Sequence, residues 1–241
     1  MVQGVLFDLF HTLTAPETKW SDLPWTFEVL GFEYETWNTL LTANSRWRLA
    51  GQERDPLQIV TRLAHQLNPS VSPQTIERAV EVRIERFRRA LLGIPGENVE
   101  LLKTLRAAGI RTALVSNADA MEVAAWPSSP LAGLFDVEVF SYEVGAVKPE
   151  PEIFELCLRR LGRRAADCVF VGDGGSNELT GARAVGLRTV FVSGVMAELW
   201  PDAVAGRAAA ADHHIVRAAE LLTTPGFEAV IKWSRENLRR R

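Results

Sequence analysis

The chain opens on an almost wholly apolar run, Val2–Phe7, that ends at Asp8. Four similar runs recur at Arg111–Val115, Val137–Phe140, Cys168–Val171 and Arg188–Val192, each closing near polar or glycine-rich residues. Short runs that are apolar throughout, rather than at alternate positions, fit strands buried on both faces. Between the later runs the apolar spacing becomes helical. Val99, Leu101, Leu102 and Leu105 make one apolar face, closed by Gly109, and Ile153, Leu156, Cys157 and Leu161 make another, closed by Gly162. Glycine ends helices in this way because it adopts the left-handed conformation freely. Strands alternating with helices predict an α/β fold with a doubly wound parallel sheet.

The segment 15–93 breaks that alternation. It reads as helical throughout: Trp25–Leu30, Tyr34–Leu49, Pro56–Gln66 and a long Pro73–Leu91, the last opened by Ser72 and Pro73. The expected organisation is a small helical cap, 15–93, inserted into an α/β core made of 1–14 and 94–241. Trp20, Trp25, Trp37 and Trp47 concentrate in the cap. They are expected to form its own core, with room for one of them to line a substrate cavity. Ala203–Ala211 is alanine-rich and reads as a surface helix.

Composition changes this picture little. The chain has 241 residues, 47% of them apolar and 24% charged, with a net charge of −3. That balance gives no reason to expect nucleic acid or an anionic membrane as partner. Arg239–Arg241 reads as a solvated tail. Cys157 and Cys168 lie in apolar stretches with no metal-ligand spacing, so they are expected as small buried hydrophobes. Met1 is followed by a strand-like run rather than a basic and then apolar leader, and no stretch reaches the length of a membrane span. The expectation is a cytoplasmic protein acting on a small molecule, of undetermined oligomeric state.

The candidate chemistry lies where the strands end. In open α/β sheets, ligands bind beyond the carboxyl ends of the strands, where the winding reverses. After the first strand comes Asp8-Leu-Phe-His-Thr12, and after the second come Ser116 and Asn117. A loop ending in Lys148-Pro149 follows the third, and Gly172-Asp173 through Glu178 follows the fourth. Alone, each has a plain explanation as a helix cap or a turn. In order, at the same end of successive strands, they make a site. Asp8 can attack an electrophilic centre and form a covalent ester or aspartyl-phosphate. Lys148, and a hard divalent cation held by Asp8 and Asp173, can neutralise a phosphate under attack. Ser116 can hold a non-reacting oxygen, and Asn117 and His11 are candidate substrate contacts.

Phe7-Asp-Leu-Phe-His-Thr-Leu13, Leu114-Val-Ser-Asn117, Val147-Lys-Pro-Glu-Pro151 and Val171-Gly-Asp-Gly-Gly-Ser-Asn-Glu-Leu-Thr-Gly-Ala182 resemble the four sequence motifs of the haloacid dehalogenase-like (HAD) hydrolase superfamily. The resemblance implies a Rossmann-like core and a helical cap of the C1 type after the first motif. It implies Asp8 as nucleophile, Thr12 as the hydroxyl supporting its loop, Ser116 as the phosphate- or substrate-contacting hydroxyl, and Lys148 as the charge-stabilising lysine. It also implies Mg²⁺ held by Asp8, the backbone carbonyl of Phe10 and the acidic pair Asp173 and Glu178, directly or through water.

One position departs from the pattern. Phosphatases of this family carry a second Asp two residues after the nucleophile, which protonates the leaving oxygen and then activates water. Here that residue is Phe10. The family's 2-haloacid dehalogenases also lack that Asp and carry an aromatic there, because halide leaves without a proton. They have mostly lost the metal-binding Asp, however, whereas this chain keeps Asp173. They place Tyr six residues beyond the lysine, where this chain has Phe154. A cap arginine binds their substrate carboxylate, a part that Arg46 or Arg48 could play. His11 stands where Gly is common; it either takes over proton transfer or fills the interface with the cap. His213 and His214 lack a third ligand at metal spacing and read as structural, and His65 receives no role. The expected function is a Mg²⁺-dependent phosphatase of a small phosphorylated metabolite. The alternatives are a metal-independent 2-haloacid dehalogenase and a catalytically reduced binding protein.

Overall fold

The computed structural model describes residues 2–230 except 44 and 229, so the Arg239–Arg241 run lies outside the described residues. Its sheet is six-stranded and parallel throughout: β1 (Gly4–Phe7), β2 (Arg111–Ser116), β3 (Val137–Phe140), β4 (Cys168–Gly172), β5 (Arg188–Val192) and β6 (His213–Ile215). The order is β3-β2-β1-β4-β5-β6, so the winding reverses between β1 and β4. Five strands coincide with the predicted apolar runs. The sixth was missed because it is a short edge strand with two histidines. It pairs with β5 from Val190↔His213 to Val192↔Ile215, and His214 stacks on Phe191.

Side chains alternate across the central strands, and each face carries its own core. Val5, Phe7, Leu114, Val169, Val171, Val190 and Val192 point to one face, beneath Leu101, Leu102 and Leu105 of α6 (Gly96–Ala107). Leu6, Ala113, Val115, Phe170 and Phe191 point to the other. There they meet Ile153, Phe154 and Cys157 of α8 (Pro151–Leu161) and Leu179 and Ala182 of α9 (Glu178–Ala184). Phe154 packs edge-on against Phe170 with ring centres 5.4 Å apart. Full burial of such side chains is worth about 1.5–3 kcal/mol apiece, which fixes the strand ends and whatever they carry. Both cysteines belong to this second core, and burial pushes the Cys157 thiol up to about 12 and the Cys168 thiol to about 11. They are therefore inert thiols.

The cap comprises α1 (Thr26–Leu30), α2 (Tyr34–Thr42), α3 (Arg46–Leu49), α4 (Pro56–Leu67) and α5 (Pro73–Leu92). Asp55 and Ser72 cap α4 and α5 by accepting from Leu57 N and Thr75 N, and each precedes a proline at the first helical position. Leu30, Trp37, Trp47, Ile59, Leu63, Ile76 and Val80 form the cap's own core. The helix predicted over Tyr34–Leu49 is two helices, because the backbone turns extended at Ala43 (ψ 127°). The restart at Arg46 lets α3 bury Trp47 and Arg48. Three short helices complete the core: α7 (Ser141–Val144), α10 (Gly194–Leu199) and α11 (Val204–Ala209). Among the described residues, no helix is long and apolar enough to cross a membrane.

Candidate active site

Asp8 follows β1 directly and extends its pairing by one bond, Asp8 N donating to Val171 O at 2.9 Å. The chain then curls into a tight turn, with Leu13 N and Thr14 N both donating to Leu9 O. Closing this turn puts His11 in the left-handed region (φ 61°), where Thr14 Oγ1 accepts its N–H at 3.0 Å. A residue other than glycine pays on the order of 1 kcal/mol to sit there. The turn brings Thr12 back over the carboxylate, its hydroxyl donating to Asp8 Oδ2 at 2.8 Å. The other oxygen, Oδ1, takes Lys148 Nζ at 2.5 Å. Both side chains are buried, so the carboxylate has one orientation.

Lys148 also donates to Glu178 Oε2 at 2.6 Å. Burial works against its charge, but Asp8 and Glu178 outweigh that effect and hold the ammonium protonated. Its backbone is clamped by Asn117, whose amide accepts from Lys148 N at 2.7 Å and donates to Lys148 O at 2.9 Å. Asn117 thus joins the end of β2 to the lysine loop, and it also lines the cavity described below. Ser116, the last residue of β2, is fully buried and its Oγ has no hydrogen-bond partner. An unpaired buried hydroxyl is costly unless a ligand completes it.

Glu178 reaches Lys148 by folding back over the end of β4. Its Oε1 accepts Gly174 N at 3.0 Å, and a Cβ on Gly172 would lie 2.1 Å from that oxygen. Glycine at position 172 is therefore a steric requirement of the carboxylate's position. Asp173 Oδ1 accepts Gly175 N at 2.8 Å. Asp8, Asp173 and Glu178 are buried and offer oxygens within 4.8 Å of one another. Burial, reinforced by the charges of Asp8 and Asp173, pushes the Glu178 carboxyl well up despite Lys148. Three buried carboxylates thus converge, and the donor set is the all-oxygen kind that a hard divalent cation takes.

His11 and Arg207 approach Asp173 from outside. His11 Nε2 lies 2.7 Å from Glu17 and Nδ1 lies 3.7 Å from Asp173 Oδ2. Burial opposes its charged form, but these two carboxylates prevail and raise it to about 10. Arg207, on α11, donates to the Asp173 carbonyl at 2.8 Å and stands 3.4 Å from its Oδ2.

Phe10, His11, Asn117 and Ser176 belong to the floor of a cavity of about 570 Å³, closed on the cap side by helices α1, α2, α3 and α5. Phe10 packs edge-on against Phe87 of α5, with ring centres 5.1 Å apart. Of the two arginines singled out in the sequence, Arg46 pairs outside with Glu150, while Arg48 is buried and lines the cavity. Arg48 Nη1 reaches Asp119 Oδ2 at 2.7 Å, and Arg83 of α5 pairs with Glu122. Trp37 and Trp47 pack in the cap core as expected, but Trp37 also reaches the cavity, and Trp25 lines it beneath Arg86, whose guanidinium carbon is 3.8 Å from the ring centre.

The structure thus brings together Asp8, Thr12, Lys148, Asp173 and Glu178 around one buried centre, with Ser116, Asn117, Phe10 and His11 on adjoining segments. Phe154 lies in the core against Phe170. Sequence reasoning missed Glu17, Arg207 and the Arg48–Asp119–Glu122–Arg83 cluster. Arg207 hides in an alanine-rich stretch with no pattern to mark it. Arg83 and Arg86 had a signal: they continue the helical spacing of Ile76, Ala79 and Val80 on the buried face of α5.

Comparison with known proteins agrees with this geometry. Residues 2–186 match the model of the haloacid dehalogenase-like hydrolase family. Protein CbbY of Rhodobacter capsulatus is 35% identical over 205 residues, covering 79% of this chain and 85% of that protein. The ribulose-1,5-bisphosphate 5-phosphatase of Halopiger xanaduensis is 36% identical over 93 residues, 38% of this chain and 39% of that protein. Several other curated relatives are likewise matched over less than half their own length. Among solved structures, the 2-haloacid dehalogenase of Pseudomonas syringae superposes with a TM-score of 0.58 at 22% identity, covering 97% of this chain and all of that one. At that identity the likeness speaks for the fold alone.

Proposed function

The chain belongs to the haloacid dehalogenase-like hydrolases, and from that premise we propose that it is a Mg²⁺-dependent phosphatase of a small phosphorylated molecule, with Asp8 as nucleophile. The observation that carries this reading is the convergence of three buried carboxylates, Asp8, Asp173 and Glu178. Halide release needs no cation, whereas phosphoryl transfer needs one beside the attacking oxygen, and this all-oxygen set suits it. Asp8, Asp173 and the Phe10 carbonyl would hold the ion. Glu178 has both oxygens engaged, one with Lys148 and one with Gly174 N, and would act on the ion through water and on the lysine directly. When bound, Mg²⁺ supplies charge neutralisation for the phosphoryl oxygens and the attacking carboxylate.

The protein's own groups do the rest. Thr12 and Lys148 each hold one oxygen of Asp8, so attack starts from a fixed geometry. The Lys148 ammonium faces the phosphoryl oxygens as charge builds on them. Ser116, unpaired in its buried place, donates to a non-reacting oxygen. Asn117 positions Lys148 through its backbone. His11 sits between Glu17 and Asp173, holds a proton, and closes the floor.

A second reading, dehalogenation of a 2-haloacid, rests on Phe10, which offers no proton at the leaving-group side. The two are separated by measuring phosphate release from an activated aryl phosphate with Mg²⁺ or EDTA, beside halide release from 2-chloropropionate. Phosphate release abolished by EDTA is the expected outcome. Halide release indifferent to EDTA overturns it.

A further inference from the structure

The cavity between cap and core bears on what the substrate is. Its walls are aromatic: Trp25, Phe27, Tyr34 and Phe87 from the cap, and Phe10 and Trp200 from the core. A volume of about 570 Å³ exceeds what a phosphate with a two- or three-carbon body fills, and rings favour other rings as partners. The cap wall also carries Arg48, Arg83 and Arg86, against the acids Asp119 and Glu122. Arg48 and Arg83 are more than nine-tenths buried, and the Nε–H of each has no partner. Arg86 donates to the Glu17 and Leu23 carbonyls rather than to an acid, so three guanidinium groups face two carboxylates and the wall favours an accepting group.

The acids available for proton transfer make a separate argument. Two cavity-lining residues carry carboxyl groups, Glu17 and Glu122. Glu17 and the protonated His11 take each other at 2.7 Å, and the second His11 nitrogen faces Asp173 at 3.7 Å, so neither is free beside the leaving group. Glu122 is taken by Arg83 and by Asp119 N. Phe10 fills the place beside Asp8. The leaving oxygen must therefore depart without a proton. An aryl oxide does so far more readily than an alkoxide, because a phenol ionises near pH 10, well below an aliphatic alcohol.

We propose, on the basis of the phosphatase reading, that the substrate is a phosphate monoester of an aromatic alcohol whose ring bears a hydrogen-bond acceptor at its far end. The ring lies among Phe10, Trp25, Phe27, Phe87 and Trp200, and the acceptor faces the arginine wall of Arg48, Arg83 and Arg86. An Asp8 oxygen forms the bond to phosphorus as the bond from phosphorus to the ring oxygen breaks. The aryl oxide leaves with that electron pair and takes its proton from solvent. Water then attacks phosphorus, the aspartyl-phosphate bond breaks back to the Asp8 carboxylate, and inorganic phosphate leaves with a proton released to solvent.

The test is steady-state kinetics with Mg²⁺ on four probes: phenyl phosphate, 4-carboxyphenyl phosphate, benzyl phosphate and acetyl phosphate. Benzyl phosphate keeps the ring but has an alkoxide leaving group; acetyl phosphate has a good leaving group and no ring. Phenyl phosphate should exceed benzyl phosphate in kcat/KM by about 100-fold or more, the scale of a missing general acid. Its KM should fall about tenfold below that of acetyl phosphate, and the carboxyl group should lower it about tenfold again. Phe27→Ala and Trp200→Ala should each cut the preference for phenyl over acetyl phosphate several-fold, with thermal unfolding reporting that the variants are folded. Equal turnover of phenyl and benzyl phosphate overturns the leaving-group argument. A lower KM for acetyl phosphate, or no response to the carboxyl group, overturns the cavity argument. Silence on all four probes overturns the phosphatase reading itself.

Discussion

The molecule buries two charged clusters, and they are built differently. Around Asp8 three carboxylates converge: Asp8 and Glu178 share Lys148, while His11 and Arg207 approach Asp173 from outside. Between the cap and the loop after β2, two arginines face two acids: Arg48 with Asp119, and Arg83 with Glu122. The second cluster is closed on its acidic side. Asp119 Oδ1 accepts from Met121 N and Glu122 N, and Glu122 Oε2 accepts from Asp119 N. Its charges balance, so it serves to fasten α3 and α5 to the core. The first cluster gathers three carboxylate oxygens within 4.8 Å and lies beside an unpaired hydroxyl, Ser116. A site advertises itself by what its own residues leave unsatisfied, and here that is a hydroxyl next to converging carboxylates.

The sharpest way to break this contrast is Lys148→Met. It leaves Asp8 and Glu178 facing each other in a buried place with no cation between them. Turnover should fall by orders of magnitude, and the folded state should lose about 3–5 kcal/mol, the scale for removing one partner of a buried pair. Because Asp8 and Glu178 then have no cation between them, millimolar Mg²⁺ should recover more melting temperature in the variant than in the parent. Thermal unfolding with and without Mg²⁺ checks this. An equal Mg²⁺ response in both proteins would mean that the acids do not converge on an ion.

Arg83→Met probes the balanced cluster. It leaves Glu122 with Arg48 at 3.5 Å and beside Asp119, whose negative charge already adds to burial in raising the Glu122 carboxyl. A loss of about 3–5 kcal/mol is expected again, read from urea midpoints, but the Mg²⁺ response should match the parent. Adding Glu122→Leu should recover much of the loss, because an apolar pair can replace a buried ion pair at little net cost. Failure of the double variant to recover would mean that the cluster does more than fasten.

How much of this was legible in the sequence follows the same division. Five strands and the residues after them could be read because a parallel strand buried on both faces leaves an unbroken apolar run, and its end is where a ligand binds. Asp8, Thr12, Lys148, Asp173 and Glu178 are brought together as that logic required. β6 could not be read, since a short edge strand needs few apolar residues and this one has two histidines. The break at Ala43 was invisible because α2 and α3 share one continuous helical spacing. The fastening cluster was missed for another reason. Charged residues default to solvent in any reading of pattern, and only their position on the apolar stripe of α5 betrays Arg83 and Arg86. Partners such as Asp119 lie far off in sequence, and pairing at that distance is a property of the fold.

A third kind of charge pairing sits on the solvent side of α5 and sets the lower end of the scale. Glu85 bonds Arg88 at 2.6 Å and Arg89 at 2.9 Å, and these two hydrogen bonds lower its carboxyl from 4.5 to about 2. With the folded value below the unfolded one, the pairing adds its full stability above pH 4.5 and loses it as the pH falls toward 2. Water screens the side chains, so the contribution is about 0.5–1 kcal/mol rather than what the shift alone implies. Glu85→Gln should therefore cost that much at neutral pH, and the gap between variant and parent should narrow as the pH drops below the unfolded value. Urea unfolding of both proteins along that pH series measures it. A gap that stays constant with pH would assign the loss to helix packing, whereas one that closes identifies the ion pair, an order of magnitude in equilibrium constant or more below either buried cluster on the same helix or at its foot.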